Sequence, residues 1–393
     1  MSDAHDHSEL NRGLATRAVH AGEPEPRIEG AVSIPVFQSA TFETAGEESY
    51  EAVRYVRLNN TPNHQALHAK LASLEGGEAA VVASSGMAAI TTTLLALLSH
   101  GDHLLALEGL YGGTHTFVTR DLAEFGIGHD LMDGNRPETW SALLKPSTRA
   151  IYVEAITNPL MQVPDLERLV RFARKHGLVS IIDSTFATPV NYRPVESGFD
   201  LVVHSGTKYL NGHSDLAAGA VIGPRELVRR VTHRLNHLGG VLDPHACYLL
   251  HRGLKTLVLR VGRQNGNALA LARFLEAHPA IEGVNYPGLE THPQHGRARQ
   301  LFSGFGGMLS FEARGGIAAA ESLLNRLRIP RSAPSLGGVE TLITRPATTS
   351  HAGVPPSERI RMGISDSLVR VSVGIEDPGD LVEDFEQGLE GIS

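Results

Sequence analysis

The chain has 393 residues, with 35 lysines and arginines against 43 aspartates and glutamates, and a single cysteine. That length suggests roughly two domains, and the net charge of −8 gives no support to a nucleic-acid partner, which would call for a basic face. Cys247 alone permits neither an intrachain disulfide nor a cysteine-based zinc cluster and fits a reducing compartment; apolar runs such as Leu104–Leu107 are far too short to span a bilayer.

The polar start MSDAHDHSEL lacks the apolar core of a secretory signal, so a soluble, cytoplasmic protein without a membrane partner is expected. Residues 1–60 hold few periodic segments; GEPEPRIEG and SIPVFQSATF read as an arm that must gain its stability by packing on something else. From residue 61 the pattern changes. HQALHAKLASLEGG has helical spacing and a Gly-Gly stop. Short apolar runs then alternate with amphipathic stretches: AAVVAS, MAAITTTLLALLS, LLALEG, THTFVTRDLAEFG, AIYVEAI, DLERLVRFARKHG, VSIID, DLVVHS and AAGAVIG. This strand–helix alternation predicts an α/β domain over 61–253, with a mostly parallel sheet covered by helices on both faces. Past residue 253, KTLVLRVGRQNGNALALARFLEAHP is long enough to bridge two domains. GGMLSFEARGG, GIAAAESLLNRL, LVRVSVGIED and DLVEDFEQGLEGI behind it read as a smaller α+β domain over 254–393.

Ligands of open parallel sheets bind beyond the carboxyl ends of the strands, so the residues that follow each strand are the informative ones. Here they are Ser84-Ser85-Gly86-Met87, Tyr111-Gly112-Gly113, Thr157-Asn158-Pro159, Asp183-Ser184-Thr185 and Ser205-Gly206-Thr207-Lys208. Ser85-Gly86-Met87 opens a helix, whose free N–H groups suit a phosphate; an ordinary strand-to-helix turn would look the same. Neither GxGxxG nor GxxxxGK[ST] occurs, which removes the main support for a nicotinamide or nucleoside triphosphate. A lysine in such a loop is usually solvated, but Lys208 between Ser205, Thr207 and Gly206 reads as a lysine in a polar pocket, able to attack an aldehyde. Asp183 at the end of an apolar strand needs a partner, either a local hydroxyl or a protonated ring nitrogen. Tyr111 is either core or a ring against which something flat stacks, with Gly112 and Gly113 leaving the space. Together these parts describe a pocket for pyridoxal 5′-phosphate.

Other signals are weaker. His64 and His68 stand four apart on a helix, but the intervening residues lack the glutamate of HExxH; His5 and His7 lie in the tail and His292 and His295 in a Pro/Gly loop, so no metal is expected. Cys247 reads as a packed thiol.

The segment VVHSGTKYLNGHSDLAAGAVIG resembles the signature of the Cys/Met-metabolism (trans-sulfuration) family of PLP enzymes, and SSGMAAI, LYGGT, TNPLMQVPDL, IDSTFATP, SLGGVETL and LVRVSVGIED follow in family order. The resemblance implies the fold-type I aminotransferase architecture, small-molecule amino-acid substrates, and a homotetramer built as a dimer of dimers with shared active sites. It implies Lys208 on the cofactor's aldehyde, Asp183 on its ring nitrogen, Tyr111 on its ring, and Gly86, Met87, Thr185, Ser205 and Thr207 among the cofactor-binding residues. Asn158 and Arg370 match positions that hold the substrate carboxylate, Ser335 one that positions the lysine, and Tyr55 and Arg57 a Tyr-x-Arg that reaches the neighbouring subunit's phosphate.

Three departures stand out. Asn60-Thr61-Pro62-Asn63 replaces the family's Asn-Pro-Thr. Gly113 stands where methionine γ-lyases typically have cysteine. Pro334 replaces a glutamate common in bacterial cystathionine γ-synthases and γ-lyases, and Ala-Pro-Ser is instead similar to plant-type cystathionine γ-synthases. The expected reaction is therefore γ-replacement on an activated homoserine by cysteine. The alternatives are cystathionine γ- or β-lyase, O-acylhomoserine sulfhydrylase, methionine γ-lyase and, more remotely, a non-catalytic binding protein.

Overall fold

The structure is a computed structural model and describes residues 12–44, 46–47 and 49–392; His5 and His7 lie outside the described residues. Its larger sheet contains β1 (Ala79–Ala83), β2 (His103–Leu107), β3 (Gly128–Met132), β4 (Thr148–Glu154), β5 (Val179–Asp183), β6 (Leu201–Ser205) and β7 (Gly219–Gly223). The spatial order is β1-β7-β6-β5-β4-β2-β3, with β7 antiparallel to both neighbours and the other pairings parallel. Both faces of the central strands are covered, so β2 and β4 carry near-continuous apolar runs rather than an alternation. Leu104, Leu105, Ile151, Tyr152 and Val153 are all fully buried, and each such aliphatic side chain contributes about 2 kcal/mol by leaving water.

The smaller sheet has the order β10-β11-β12-β9-β8, from β8 (Ile281–Asn285), β9 (Met308–Ala313), β10 (Arg331–Ser332), β11 (Leu342–Thr344) and β12 (Val369–Ser372). Each sheet has its own hydrophobic cluster. The long helix Leu257–Ala277 joins them: Leu257 and Val261 pack into the first cluster, Ala268, Leu271, Ala272 and Leu275 into the second.

Two segments differ from the reading of the sequence. THTFVTRDLAEFG is not one uniform helix: α-helical turns at Gly112–Thr116 and Leu122–Glu124 flank a wider π-type turn over Phe117–Asp121. Part of the N-terminal segment docks on its own chain. Helix Leu14–His20 lies against helix Pro62–Glu75, where the Arg17 guanidinium donates to the Ser73 carbonyl and Lys70 Nζ donates to the Ala18 carbonyl at 2.9 Å. Glu23 then pairs with Arg27 at 2.8 Å and Lys255 at 2.6 Å. Further along the segment the chain is open to solvent, with Val32 82% and Tyr50 60% exposed. No helix among the described residues is long and apolar enough to cross a membrane.

Candidate active site

Helix Gly86–Leu97 follows β1, and Ser85 caps it, its Oγ accepting from the Ala88 N–H at 3.0 Å. The first N–H groups of a helix have no partner within it, so those of Gly86 and Met87 are left at the wall of a cavity of about 720 Å³. The helix start sits hard against the end of β6. A Cβ on Gly86 would lie 2.7 Å from Ser205 Cβ and 2.8 Å from Ser205 Oγ, so only glycine permits this approach.

Lys208 follows β6 in a tight turn whose carbonyls are anchored from the bridging helix. Arg260 Nη1 donates to the Tyr209 carbonyl at 2.8 Å, and its Nη2 donates to that of Leu210 at 3.4 Å. The segment Ser335–Gly337 packs onto this turn. Gly337 has φ +75°, and a Cβ there would lie 2.6 Å from Tyr209 N. That approach brings Ser335 Oγ to 2.7 Å from Lys208 Nζ, which donates to it. Burial first, and the Arg370 cation second, lower the Lys208 ammonium from 10.5 to about 8.

Arg370, on β12, is buried and donates to Asn158 Oδ1 at 3.1 Å and to the Ser335 carbonyl at 3.3 Å. Burial lowers its pKa to about 10. No carboxylate among the described residues lies within ion-pair distance of it. A buried guanidinium with only neutral acceptors can take a carboxylate as a bidentate ligand.

Asp183 closes β5 in register with Glu154 at the end of β4. Its Oδ1 accepts from the Thr185 N–H at 2.9 Å, while Thr185 Oγ1 accepts from the Ser205 N–H at 2.9 Å and so ties β5 to β6. Burial pushes the Asp183 carboxyl up, and burial together with Asp183 pushes Glu154 well above the usual range. Glu154 also accepts from the Tyr111 N–H at 2.6 Å. Reading the sequence missed Glu154, although an acid closing the apolar run AIYVEAI was a visible signal.

Eleven of the residues singled out in the sequence line this one cavity: Gly86, Met87, Tyr111, Asn158, Asp183, Thr185, Ser205, Thr207, Lys208, Ser335 and Arg370. Pro334 and Ser350 line it as well. Tyr55 and Arg57 do not. Arg57 instead donates to the Asn236 carbonyl at 2.9 Å and to Tyr50 Oη at 2.8 Å, and its guanidinium lies over the Tyr50 and Tyr55 rings.

The glycines beside Tyr111 have a different use from the one expected. A Cβ on Gly113 would lie 2.7 Å from Tyr111 Cε1, and one on Gly112 would lie 2.2 Å from the Ser350 carbonyl oxygen. They make room for the tyrosine's own ring and for the segment closing over it. In the loop that departs from the family pattern, Asn60 accepts from the Tyr55 N–H and donates to the Val53 carbonyl, while Pro62 starts its helix.

The histidine pairs have structural partners. His64 contacts Thr61 Oγ1 at 2.7 Å and the Leu242 carbonyl at 2.8 Å, and His68 accepts from the Val82 N–H. His292 accepts from the Gln294 N–H, and His295 contacts the Pro287 carbonyl. Burial raises the Cys247 thiol and keeps it protonated.

These residues fit pyridoxal phosphate. The helix start and Ser205 suit the phosphate, and Lys208 the aldehyde. Two buried carboxyls on neighbouring strands, with no ion-pair partner among the described residues, suit a protonated ring nitrogen.

Comparison with known proteins agrees with this chemistry. The chain is 44% identical over 391 residues to an L-methionine gamma-lyase from Pseudomonas putida, covering 96% of this chain and 97% of the relative. It is 42% identical to a cystathionine gamma-lyase from Bacillus subtilis, covering 96% of this chain and 99% of the relative. The solved cystathionine gamma-lyase from Lactobacillus plantarum, complexed with L-serine, superposes with a TM-score of 0.93 at 36% identity, covering 97% of this chain and 99% of that one. The family described as Cys/Met metabolism PLP-dependent enzyme matches residues 15–390, and the chain belongs to that family.

Proposed function

We propose that this enzyme is a sulfur-amino-acid lyase. It takes an amino acid with a thioether at its γ carbon and, with one water, yields a thiol, a 2-oxo acid and ammonia. The observation that carries the reading is the meeting of Lys208 and Arg370 in one cavity, bridged by Ser335. Arg370 and Asn158 hold the substrate carboxylate, which fixes the Cα–H bond relative to Lys208. Bound pyridoxal phosphate supplies the electron sink that makes protons on the substrate's α and β carbons removable. Lys208 moves those protons. With its pKa near 8 a useful fraction is free amine at neutral pH, and Ser335 Oγ holds Nζ in place. Tyr111, 42% exposed at the cavity, stands where a hydroxyl can return a proton to the departing sulfur.

The expectation of a synthase rested on Ala-Pro-Ser, whereas the relatives named above are lyases, and elimination has the better support. Replacement is kept as a second reading because Pro334 does line the cavity. Gly113, where methionine γ-lyases typically have cysteine, counts against methionine as the preferred thioether. Mass spectrometry of the products decides the matter, with methionine and cystathionine each tested alone and O-acetyl-, O-succinyl- and O-phosphohomoserine tested with and without cysteine. A 2-oxo acid from a thioether supports the lyase; cystathionine formed only from an activated homoserine and cysteine overturns it.

The assembly is part of the same proposal. We infer a cytoplasmic homotetramer, organised as an arm over 1–60, a cofactor domain over 61–253 and a smaller domain over 254–393. Tyr55 and Arg57 complete a neighbour's cavity, and two features favour this: they are outside their own cavity, and the arm before them is open to solvent at Val32 and Tyr50.

A further inference from the structure

Glu154 is a buried carboxyl in the wall of the cavity, and its contact with Tyr111 has so far been given no task. Its side chain is held on one side only, by the Tyr111 N–H at 2.6 Å. Across the sheet it stands in register with Asp183. Neighbouring strands run roughly 4.8 Å apart, so side chains in register emerge on the same face at about that separation. Tyr152, two residues earlier on the same face of β4, places its hydroxyl 3.4 Å from Asp183 Oδ2. The groups around the pair are Thr185, Tyr111 and Tyr152, with His204 on β6 held by Glu75 at 2.5 Å. Lys208 and Arg370 share the cavity but make no ion pair with either acid.

Two carboxylates this close in a buried site do not both ionise readily, so the pair keeps one proton until a cation replaces it. Burial acts in that direction on both groups, and repulsion from Asp183 adds to it on Glu154, while hydrogen bonds from Thr185 and Tyr152 work against it on Asp183.

We propose that Glu154 is a positioning residue that shares a proton with Asp183 in a two-carboxyl seat for the protonated ring nitrogen and, through the same carboxyl, fixes the main chain of Tyr111. The inference rests on the reading that Asp183 faces that nitrogen. When the ring cation binds, the O–H bond of the protonated carboxyl breaks and its proton leaves to solvent. The two acids would then hold the ring's N–H. The Tyr111 contact makes the same carboxyl the hinge pin of the residue that stands over the cavity. Replacing Glu154 by Gln keeps an acceptor for the Tyr111 N–H and removes the shared charge. Replacing it by Ala removes both.

The test uses the full chain stripped of cofactor and the ligand pyridoxine 5′-phosphate, which has the ring and phosphate but no aldehyde for Lys208. In Glu154→Gln, Asp183 no longer has a like charge beside it, and the acid limb of the affinity–pH profile should move down by about one unit. The phosphate titrates alike in both proteins and cancels. Glu154→Ala should match Glu154→Gln in that profile, yet lose about tenfold or more in kcat/KM relative to it, because only Ala frees the Tyr111 main chain. An unmoved acid limb in Glu154→Gln overturns the shared proton, and equal kcat/KM for Gln and Ala overturns the positioning role.

A measurement on the wild-type chain needs no variant. Infrared difference spectra on adding pyridoxine 5′-phosphate should lose a protonated-carboxyl band, and its persistence refutes the proposal. Asp183→Asn separates the two levels: wild-type affinity for the ligand in that variant would remove the reading on which the inference rests, whatever Glu154 does.

Discussion

Raising the pH of the cofactor-free chain through about 8 should convert Lys208 from an ammonium to a free amine, long before an ordinary lysine would titrate at 10.5. Burial is the larger cause and the Arg370 charge the smaller. The displacement corresponds to about 3 kcal/mol against the charged form, an upper figure because the side chain keeps some solvent contact. At pH 7 it leaves about a tenth of the lysine as free amine, roughly 300-fold more than in an exposed lysine. Pyridoxal without its phosphate, added to the stripped chain across this pH range, reports that amine through the absorbance of the imine formed. Lys208→Ala gives the background from other lysines. The rate should reach half its plateau near pH 8. In Arg370→Met the midpoint should rise but stay nearer 8 than 10.5, because burial persists. A wild-type midpoint at 10.5, or full return to it in Arg370→Met, would refute the reasoning. The same shift affects stability. The unfolded lysine binds its proton more tightly than the folded one, so the cofactor-free chain should gain stability as pH rises from about 8 to 10.5, by at most about 3 kcal/mol.

Gly86→Ala should cost about 1–3 kcal/mol in denaturant unfolding and weaken pyridoxal phosphate binding, since the new methyl meets Ser205 at 2.7 Å; wild-type affinity would remove Gly86 from the phosphate site. Arg370→Lys should leave the visible spectrum of the loaded enzyme intact and raise the KM for amino-acid substrates about tenfold or more, because a lysine cannot form the bidentate fork. An unchanged KM would contradict the carboxylate assignment. Arg57→Ala and Lys208→Ala should each be nearly inactive, yet recover part of the activity after verified subunit exchange, because a mixed dimer has one cavity with both residues intact. No recovery would place the two residues in one chain's site.

Much of the site was legible because strand ends of a parallel sheet converge. Once AAVVAS, LLALEG, AIYVEAI, VSIID and DLVVHS were read as strands, the residues after them had to share one rim, and nearly all those singled out do. The bridging helix was equally visible, its 21 residues carrying an apolar stripe long enough for two cores. Other parts were hidden for physical reasons. β3, GHDLM, is an edge strand with polar, partly exposed residues and so lacks the apolar run of a central strand. β10 and β11 have two and three residues, too few for any periodicity. Gly112 and Gly113 were read as space for a ligand; that a neighbouring segment and the Tyr111 ring fill it depends on contacts between residues more than 200 positions apart as well as local ones. The Arg260 brace beneath Lys208 is likewise long-range, since a buried arginine on a helix has no local signature.

The most direct test of the account is to load the chain with pyridoxal 5′-phosphate, reduce it with borohydride, digest it and map the pyridoxyl group by mass spectrometry. The account predicts one modified peptide, containing Lys208, and loss of that label when an amino-acid substrate is added before reduction. Stoichiometric label on any other lysine, or label on Lys208 that substrate leaves undiminished, would contradict it.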